Sequence, residues 1–542
     1  MNEFTNTTTS AARADHIIEW LRAYAPRRIN SRLMDERRAI FPNVVLDFGN
    51  RGLFGLQVPQ RYGGQDLTTY DAARVIQQLG AIDLTLGLFV GNHIALGTRP
   101  IHNFAPDALR EAWLPAIARG RELAAFALTE PEAGSNPLAI TATATPAGDG
   151  RWLLNGRKLW TGSGAWAGIL NVFVRLLGEN GRYRGMTGFA IPQGTAGLEM
   201  GPEALTMGMR GMVQNEIILN NVPVTTDNLL GRAGKGMRVA HDAMMLGRFG
   251  LGVMSVGGIK RCAQLMHRYA TRRTISTGCL IDNSITRVRL SEAAAKITSL
   301  EAFVMLLAQM MDRGEDIPVE ANMICKIAGP EFLFETADHT VQMLGGRGSV
   351  EPNIAPQILR DARLLRIFEG PTETLLSYLG ARMVGNRTEF YRFIAETLNA
   401  PSIAAHLDEV VTEATETRGK TDSVSDHWLH YVVGELTVRA TMWAAAVYAS
   451  AQSEAAESAV LWAHQRYEVQ ADMICNHLYP AHRLNAFEIA DHVYSYSETI
   501  GQLERTIAGE DHSVDALLRP DVVAPQKAYA PPVNRNLMRE SN

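Results

Sequence analysis

Residues 126–136 read FALTEPEAGSN, and the character of the chain changes there. Before them, from about residue 11 to residue 125, apolar side chains recur at three-and-four spacing, as in HIIEWLRAYA and DAARVIQQLGAI, which is the period of an amphipathic helix. After them come strand-like segments such as WLLNGRKLW, ILNVFVRL and NEIILNNVPV. A helical region therefore gives way to a β-rich one. Within the string, Pro131 and Gly134 impose a turn after a strand. Such a turn leaves backbone N–H groups free beside the hydroxyls of Thr129 and Ser135, a fitting place for polar ligand atoms.

Working outward, the β-rich region closes near residues 220–237, where Pro223, Gly231, Gly234 and Gly236 punctuate a connection back to helix. From about 238 to 385 the helical period returns, and it continues to about 510 in stretches such as WLHYVVGELTVRATMWAAAVYAS, whose Met442 and Trp443 read as core. The stretch 519–536, RPDVVAPQKAYAPPVNRN, is proline-rich and reads as extended. The expected fold class is mostly α with a central β domain. The expected domains are 1–125 (helical), 126–240 (β), 241–385 (helical, carrying the chemistry) and 386–542 (a further helical domain and tail). At roughly 150 residues per domain, a chain of 542 residues accommodates this division.

Composition narrows the function. Hydrophobic residues at 46% and charged residues at 20% are ordinary for a globular protein, and a net charge of −5 offers no basic footprint, so nucleic acid is excluded as the expected partner. Cys262, Cys279, Cys325 and Cys475 are far apart and form no CxxC pair, so neither a zinc site nor a disulfide framework is expected, and no metal is assigned. The first residues, MNEFTNTTTSAARADH, have no basic start followed by an apolar run. No stretch approaches about 18 uninterrupted apolar residues. The expectation is a cytoplasmic protein without a transmembrane segment.

One carboxylate stands out as a base. Residues 360–375, RDARLLRIFEGPTETL, place Glu369 before Gly370 and Pro371, where one helix breaks and another starts with Pro at its first position and Glu373 in its first turn. Ile367 and Phe368 beside Glu369 would desolvate its carboxylate, raise its pKa and make it a usable base near neutrality. The competing reading is a surface glutamate that caps a helix. His93, in the apolar segment VGNHIALG, reads as a hydrogen-bonded core histidine.

These segments resemble the acyl-CoA dehydrogenase family. Arg360, Asp361, Phe368, Glu369 and Gly370 match its catalytic signature, with Pro371 where the family has threonine and Thr372 adjacent. Thr129, Glu130, Pro131, Ala133, Gly134 and Ser135 match its other signature, with Asn136 replacing aspartate. Tyr62, Gly63 and Gly64 match its Pro-x-x-Tyr-Gly-Gly turn, Tyr269, Ala270 and Arg273 its Tyr-Ala-x-x-Arg, and Gln342, Gly345 and Gly346 its Gln-x-x-Gly-Gly. The chain departs from the pattern at Gly162, Met245, Ser276, Thr277 and Ser284. The resemblance spans residues 15 to 385.

The resemblance implies an enzyme that uses FAD to desaturate an acyl thioester between Cα and Cβ. Glu369 takes the α-proton and the β-hydrogen leaves as hydride to flavin N5. Phe126, Leu128, Thr129, Gly134, Ser135, Trp160, Thr161, Arg273, Gln342, Gly345, Gly346 and Thr372 are the implied cofactor contacts. Trp160 covers one face of the ring, Arg273 reaches the pyrophosphate, and the Gln342–Gly346 turn serves the flavin of a neighbouring subunit. Ser135, Arg248 and Gly370 border the substrate. The substrate is acyl-CoA or, alternatively, an acyl carrier protein thioester. Electrons pass to an electron-transfer flavoprotein or another acceptor, oxygen included. The assembly is a homodimer or a dimer of dimers, and the C-terminal helices resemble the extension of long-chain relatives. A different class, a non-catalytic scaffold of the same fold, is the remote alternative.

Overall fold

The computed structural model describes residues 9–417, 423–477 and 484–501. The N-terminal region is helical, and several of its helices start where polar side chains satisfy free N–H groups. Thr9 caps Ser10–Arg28, Thr68 caps Thr69–Ile82 and Asp83 caps Leu84–Asn92. The LQVPQRYGGQ segment is a turn as expected, with Gly63 at φ 83°.

Strand β1 (Leu123–Ala127) opens the central domain two residues before the compositional shift. It pairs in parallel with β4 (Ala167–Leu177). With β2 (Thr143–Pro146), β3 (Arg151–Gly162), β5 (Tyr183–Pro192), β6 (Leu198–Glu203), β7 (Gln214–Thr225) and β8 (Leu229–Leu230), the sheet runs β6-β7-β3-β2-β4-β5-β8. Alternate residues of β3, β4 and β7 bury Leu154, Leu170, Val172, Ile217 and Leu219 in one cluster, the period-two burial that strands impose.

The third region is built on the long helices Gly236–Ala270, Ser284–Asp312 and Val319–Leu344. The first and last of these cross closely because glycines face each other. A Cβ on Gly252 would lie 3.0 Å from Cys325 Cβ, and one on Gly329 would lie 2.8 Å from Gly252 Cα. Further along, a Cβ on Gly258 would meet Leu333 at 2.8 Å, so the two helices advance together. Ser284–Asp312 is long and apolar enough to cross a membrane by length and composition, which the sequence reading did not anticipate. More than half of its apolar window, 56%, is buried within the protein, with Leu300, Phe303, Val304 and Leu307 wholly inside.

The extension joins this region through glycines as well. Helix Ser423–Ser450 packs on Thr372–Gly385, where a Cβ on Gly380 would overlap the His430 carbonyl and one on Gly434 the Leu376 carbonyl. A second unit begins at His477. Its described part holds the helix Ala486–Ser495, started by a capping box of Asn485 and Glu488. The proline-rich stretch 519–536 lies outside the described residues.

Candidate active site

Helix Ile354–Leu365 ends just before the loop that carries Glu369. Glu369 takes a left-handed conformation, φ 58°, followed by Gly370 at φ 101°. A bulky residue with positive φ costs on the order of 1–3 kcal/mol and persists only where its surroundings hold it. Here Arg248 Nε donates to the Glu369 carbonyl at 3.2 Å. Gly370 is required next to it, since a Cβ there would lie 3.0 Å from Leu375 Cδ2 in a backbone conformation that side chains avoid. Pro371 is the N-cap of Thr372–Gly385, one place earlier than the first helical position expected from the sequence.

The turn points the carboxylate inward. Although Glu369 as a residue is only partly buried, its Oε2 is enclosed and has no hydrogen-bond partner among the described residues. Burial pushes the carboxyl above its ordinary pKa, while Arg248 and Lys326 pull it part of the way back. A solvated cap would show the opposite pattern, so the capping reading of Glu369 does not hold. A Cβ on Gly247 would lie 3.9 Å from Glu369 Oε2, and Gly247 lines an apolar cavity between Thr69–Ile82, Leu84–Asn92 and Gly236–Ala270. Ile76, Leu88, Phe249 and Met254 supply its walls, and Cβ atoms on Gly91 and Gly250 would meet nothing within 4 Å. The carboxylate thus stands beside a greasy slot.

Lys326 was missed by the sequence reading. It is wholly buried and its Nζ has no hydrogen-bond partner among the described residues. Burial lowers its pKa to about 7 against the pull of Glu369 and Glu331. The available signal was a lysine inside the apolar helical run MICKIAG. Glu331, by contrast, is occupied, accepting from Arg366 Nε at 2.7 Å and from Thr372 Oγ1 at 2.7 Å. Thr372 is therefore buried and turned toward Glu331, so its hydroxyl already has a partner within the chain.

Residues 126–136 are held by a second buried pair. Lys158 Nζ, on β3, reaches Glu130 at 2.6 Å and the Leu128 carbonyl at 3.2 Å, and both side chains are essentially inaccessible. Glu130 also accepts from Thr141 N, from Thr141 Oγ1 at 2.7 Å and from Ala142 N at 3.1 Å. Burial pushes its carboxyl up, but the Lys158 charge and these hydrogen bonds outweigh that and hold it below its ordinary value. Leu159 N donates to the Thr129 carbonyl at 2.8 Å. Strand β3 and this turn are thereby locked together.

That lock brings several expected cofactor contacts to one place. Phe126 packs on Phe173 at 4.8 Å. Leu128 and Thr129 lie at the end of β1, and Trp160 and Thr161 on the adjacent β3. Trp160 has φ 51° and an indole 50% exposed, which leaves a flat ring on open surface. Beside it, Thr161 is buried with Oγ1 lacking a partner among the described residues. Gly134 and Ser135 are exposed, and a Cβ on Gly134 would meet nothing within 4 Å. An open aromatic face, an unspent hydroxyl and a cradle without Cβ fit a flat, polar-edged group such as a flavin. His93 is a core residue as expected: its Nδ1 accepts from Ala124 N at 3.3 Å, and burial lowers its pKa to about 4.

Other expected contacts lie apart. Arg273 is exposed where the small hairpin Thr274–Ile275 with Gly278–Cys279 begins, and Gln342, Gly345 and Gly346 are exposed at the end of Val319–Leu344. Cβ atoms on Gly345 and Gly346 would meet nothing within 4 Å. Among the described residues neither the Arg273 nor the Gln342 side chain bonds to the Glu369 pocket. Arg360 and Asp361 act as ties. Arg360 grips Asp35 of the N-terminal region through two bonds at 3.0 and 2.7 Å, and the Asp361 carboxylate accepts from Met209 N at 2.5 Å. Glu292, Glu335 and His339 also come together. Arg289 pairs with Glu292 at 2.9 Å and Lys296 with Glu335 at 3.1 Å, so this cluster is an ion-pair network.

A helical region, a central sheet and a second helical region follow one another along the chain, the order that the sequence motifs had implied. Comparison with known proteins agrees. Residues 12–121 match the acyl-CoA dehydrogenase N-terminal domain, 125–222 the middle domain and 234–384 the C-terminal domain. The very long-chain specific acyl-CoA dehydrogenase of Macaca fascicularis mitochondria is 34% identical over 331 residues, 60% of this chain and 50% of that protein. An acyl-CoA dehydrogenase of Bacillus subtilis is 29% identical over 339 residues, 62% of this chain and 89% of that protein. A solved acyl-CoA dehydrogenase from Bacillus anthracis, complexed with FAD, superposes with a TM-score of 0.74 at 21% identity and covers 92% of each chain, so its fold includes the extension. The chain belongs to the acyl-CoA dehydrogenase family. It spans about half the length of the curated very long-chain relatives that it matches.

Proposed function

We propose that the protein is an FAD-dependent acyl-CoA dehydrogenase that introduces a double bond between Cα and Cβ of an acyl thioester, with Glu369 as the base. The carrying observation is Glu369 Oε2, enclosed and without a hydrogen-bond partner among the described residues, at the edge of an apolar cavity. A carboxylate so desolvated has nothing to release before it accepts a proton. The cavity takes the acyl chain and excludes water around it. Arg248 holds the Glu369 backbone in its strained turn and so fixes the aim of the carboxylate. Phe126, Leu128, Thr129, Gly134, Ser135, Trp160 and Thr161 would hold the flavin ring, with Trp160 covering one face. FAD, when bound, supplies the acceptor for the hydride. Gly370 and Ser135 border the thioester. Arg273, exposed, would reach the pyrophosphate of the cofactor, and the exposed turn of Gln342, Gly345 and Gly346 would serve the flavin of a neighbouring subunit in a dimer. An electron-transfer flavoprotein or a similar acceptor would take up the electrons.

The purified protein is expected to be yellow and to bleach anaerobically when a saturated acyl-CoA is added. Bleaching by acyl carrier protein thioesters alone would favour a biosynthetic role. A colourless protein that takes up no FAD would overturn the reading.

Gly250 offers a second test, because a Cβ there projects into space inside the cavity. Gly250→Leu should shift the preferred acyl length toward shorter chains by several carbons. Each excluded methylene forfeits about 0.8 kcal/mol, so kcat/KM for long acyl-CoAs should fall more than tenfold while short ones are spared. An unchanged chain-length profile would show that the acyl group lies elsewhere.

A further inference from the structure

We propose that Lys326 is the counter-cation of Glu369, a positioning residue whose buried ammonium keeps that carboxylate in its ionised, proton-accepting form. The inference rests on the reading of Glu369 as the base. The Gly252–Gly329 crossing packs the helix that bears Lys326 tightly on the helix that bears Arg248, and Arg248 is bonded to the Glu369 backbone. Lys326 is close enough to both for the charges of Glu369 and Arg248 to act on it. Its Nζ and the Glu369 Oε2 are both enclosed, both without hydrogen-bond partners among the described residues, and not within ion-pair distance of each other.

The charges that face this pair can be assigned one by one. From Gly236–Ala270 comes Arg248, which spends Nε on the Glu369 carbonyl rather than on the carboxylate. From the loop after Ile354–Leu365 comes Arg366, paired at 2.7 Å with Glu331. Glu331 lies on the same helix as Lys326 and is saturated by Arg366 and Thr372. Among the described residues that face one another here, the carboxylate left without a bonded partner is Glu369 and the cation left without one is Lys326. In a poorly screened interior such charges act on each other beyond hydrogen-bond distance. Burial raises the Glu369 carboxyl, and Lys326 is one of the two cations that oppose the rise. A lysine enclosed without a hydrogen bond costs stability, and this electrostatic service gives a reason for keeping it.

Lys326→Met preserves length and apolar packing and removes the charge. In this variant the acid limb of the pH profile for flavin reduction should move up by about one unit, so that the rate on that limb falls about tenfold, while the alkaline plateau stays within threefold of wild type. A readout independent of turnover is the proton uptake of Glu369, taken as the difference titration between a protein and the same protein carrying Glu369→Gln. Its midpoint should rise by the same amount in the Lys326→Met background and stay in place in Lys326→Arg. A Lys326→Met protein that is less stable but titrates Glu369 at the wild-type midpoint would overturn the proposal and leave Lys326 a purely structural residue.

Should Lys326→Met not fold, linkage supplies the reciprocal test, since coupled sites shift each other equally. The titration of the 15N-labelled Lys326 ζ-amine should drop by about one unit in Glu369→Gln, and an unchanged midpoint would overturn the proposal. Full turnover in Glu369→Gln would instead remove the base assignment, whatever the coupling between the two groups.

Discussion

Glu369→Gln should leave FAD content and acyl-CoA binding near wild type while flavin reduction falls by about 10² to 10⁴ or more, the usual worth of a general base. The amide keeps the size of the side chain, and because Glu369 Oε2 has no bonded donor among the described residues, the change breaks no hydrogen bond there. What disappears is the ability to take a proton. The same variant should be more stable than wild type at alkaline pH. Burial raises the folded-state pKa of Glu369, so the native protein holds this proton more tightly than the unfolded chain does. The group's contribution to stability is then fully present below the unfolded pKa, near 4.5, and is lost as pH rises through the higher folded value. Gln at this position removes that dependence, and thermal melts of both proteins at pH 5 and pH 8 would reveal it. Stopped-flow reduction within threefold of wild type would send the search for the base to another carboxylate.

The local features of this fold were legible because they are short-range. The change of hydrophobic period at residue 125 anticipated β1 to within two residues, and Gly370 with Pro371 anticipated a break whose extent is visible in the φ of 58° at Glu369. The inward aim of the Glu369 carboxylate was readable only from Ile367 and Phe368, yet Ile367 is itself exposed. Desolvation comes instead from Gly236–Ala270 and its neighbours, which are remote in sequence. The same limit hid the pairings that organise the site. Lys158 and Glu130 are 28 residues apart, and Arg360 and Asp35 are 325 apart. Arg360 and Asp361 were read as part of a catalytic signature, and the structure gives them to domain ties, because a motif records which residues recur without recording what each one holds. Trp160 shows the complement: a tryptophan in a strand reads equally well as core, and its 50% exposure is what sets it apart.

Lys158→Met should destabilise the protein by about 3–5 kcal/mol, the cost of removing one partner from a buried ion pair. Glu130 would remain inside at 1% exposure with its charge opposed only by donors from Thr141 and Ala142. Those donors place the loss toward the lower end of that range. Glu130→Leu should cost at least as much, since it leaves the Lys158 ammonium with the Leu128 carbonyl alone and also strands the N–H groups of Thr141 and Ala142. The double variant should therefore not recover wild-type stability, unlike an ion pair whose only bonds are mutual. Function should follow stability here, because Lys158 holds the Leu128 carbonyl and Leu159 the Thr129 carbonyl, and these join Trp160 to the turn that ends at Ser135. Loosening that join separates the indole from the exposed Gly134 and Ser135, so FAD affinity should fall in Lys158→Met even where the protein remains folded. Flavin titration below the melting temperature would check this, and unchanged affinity in a destabilised Lys158→Met protein would mean that the pair holds the sheet together without shaping the cofactor site.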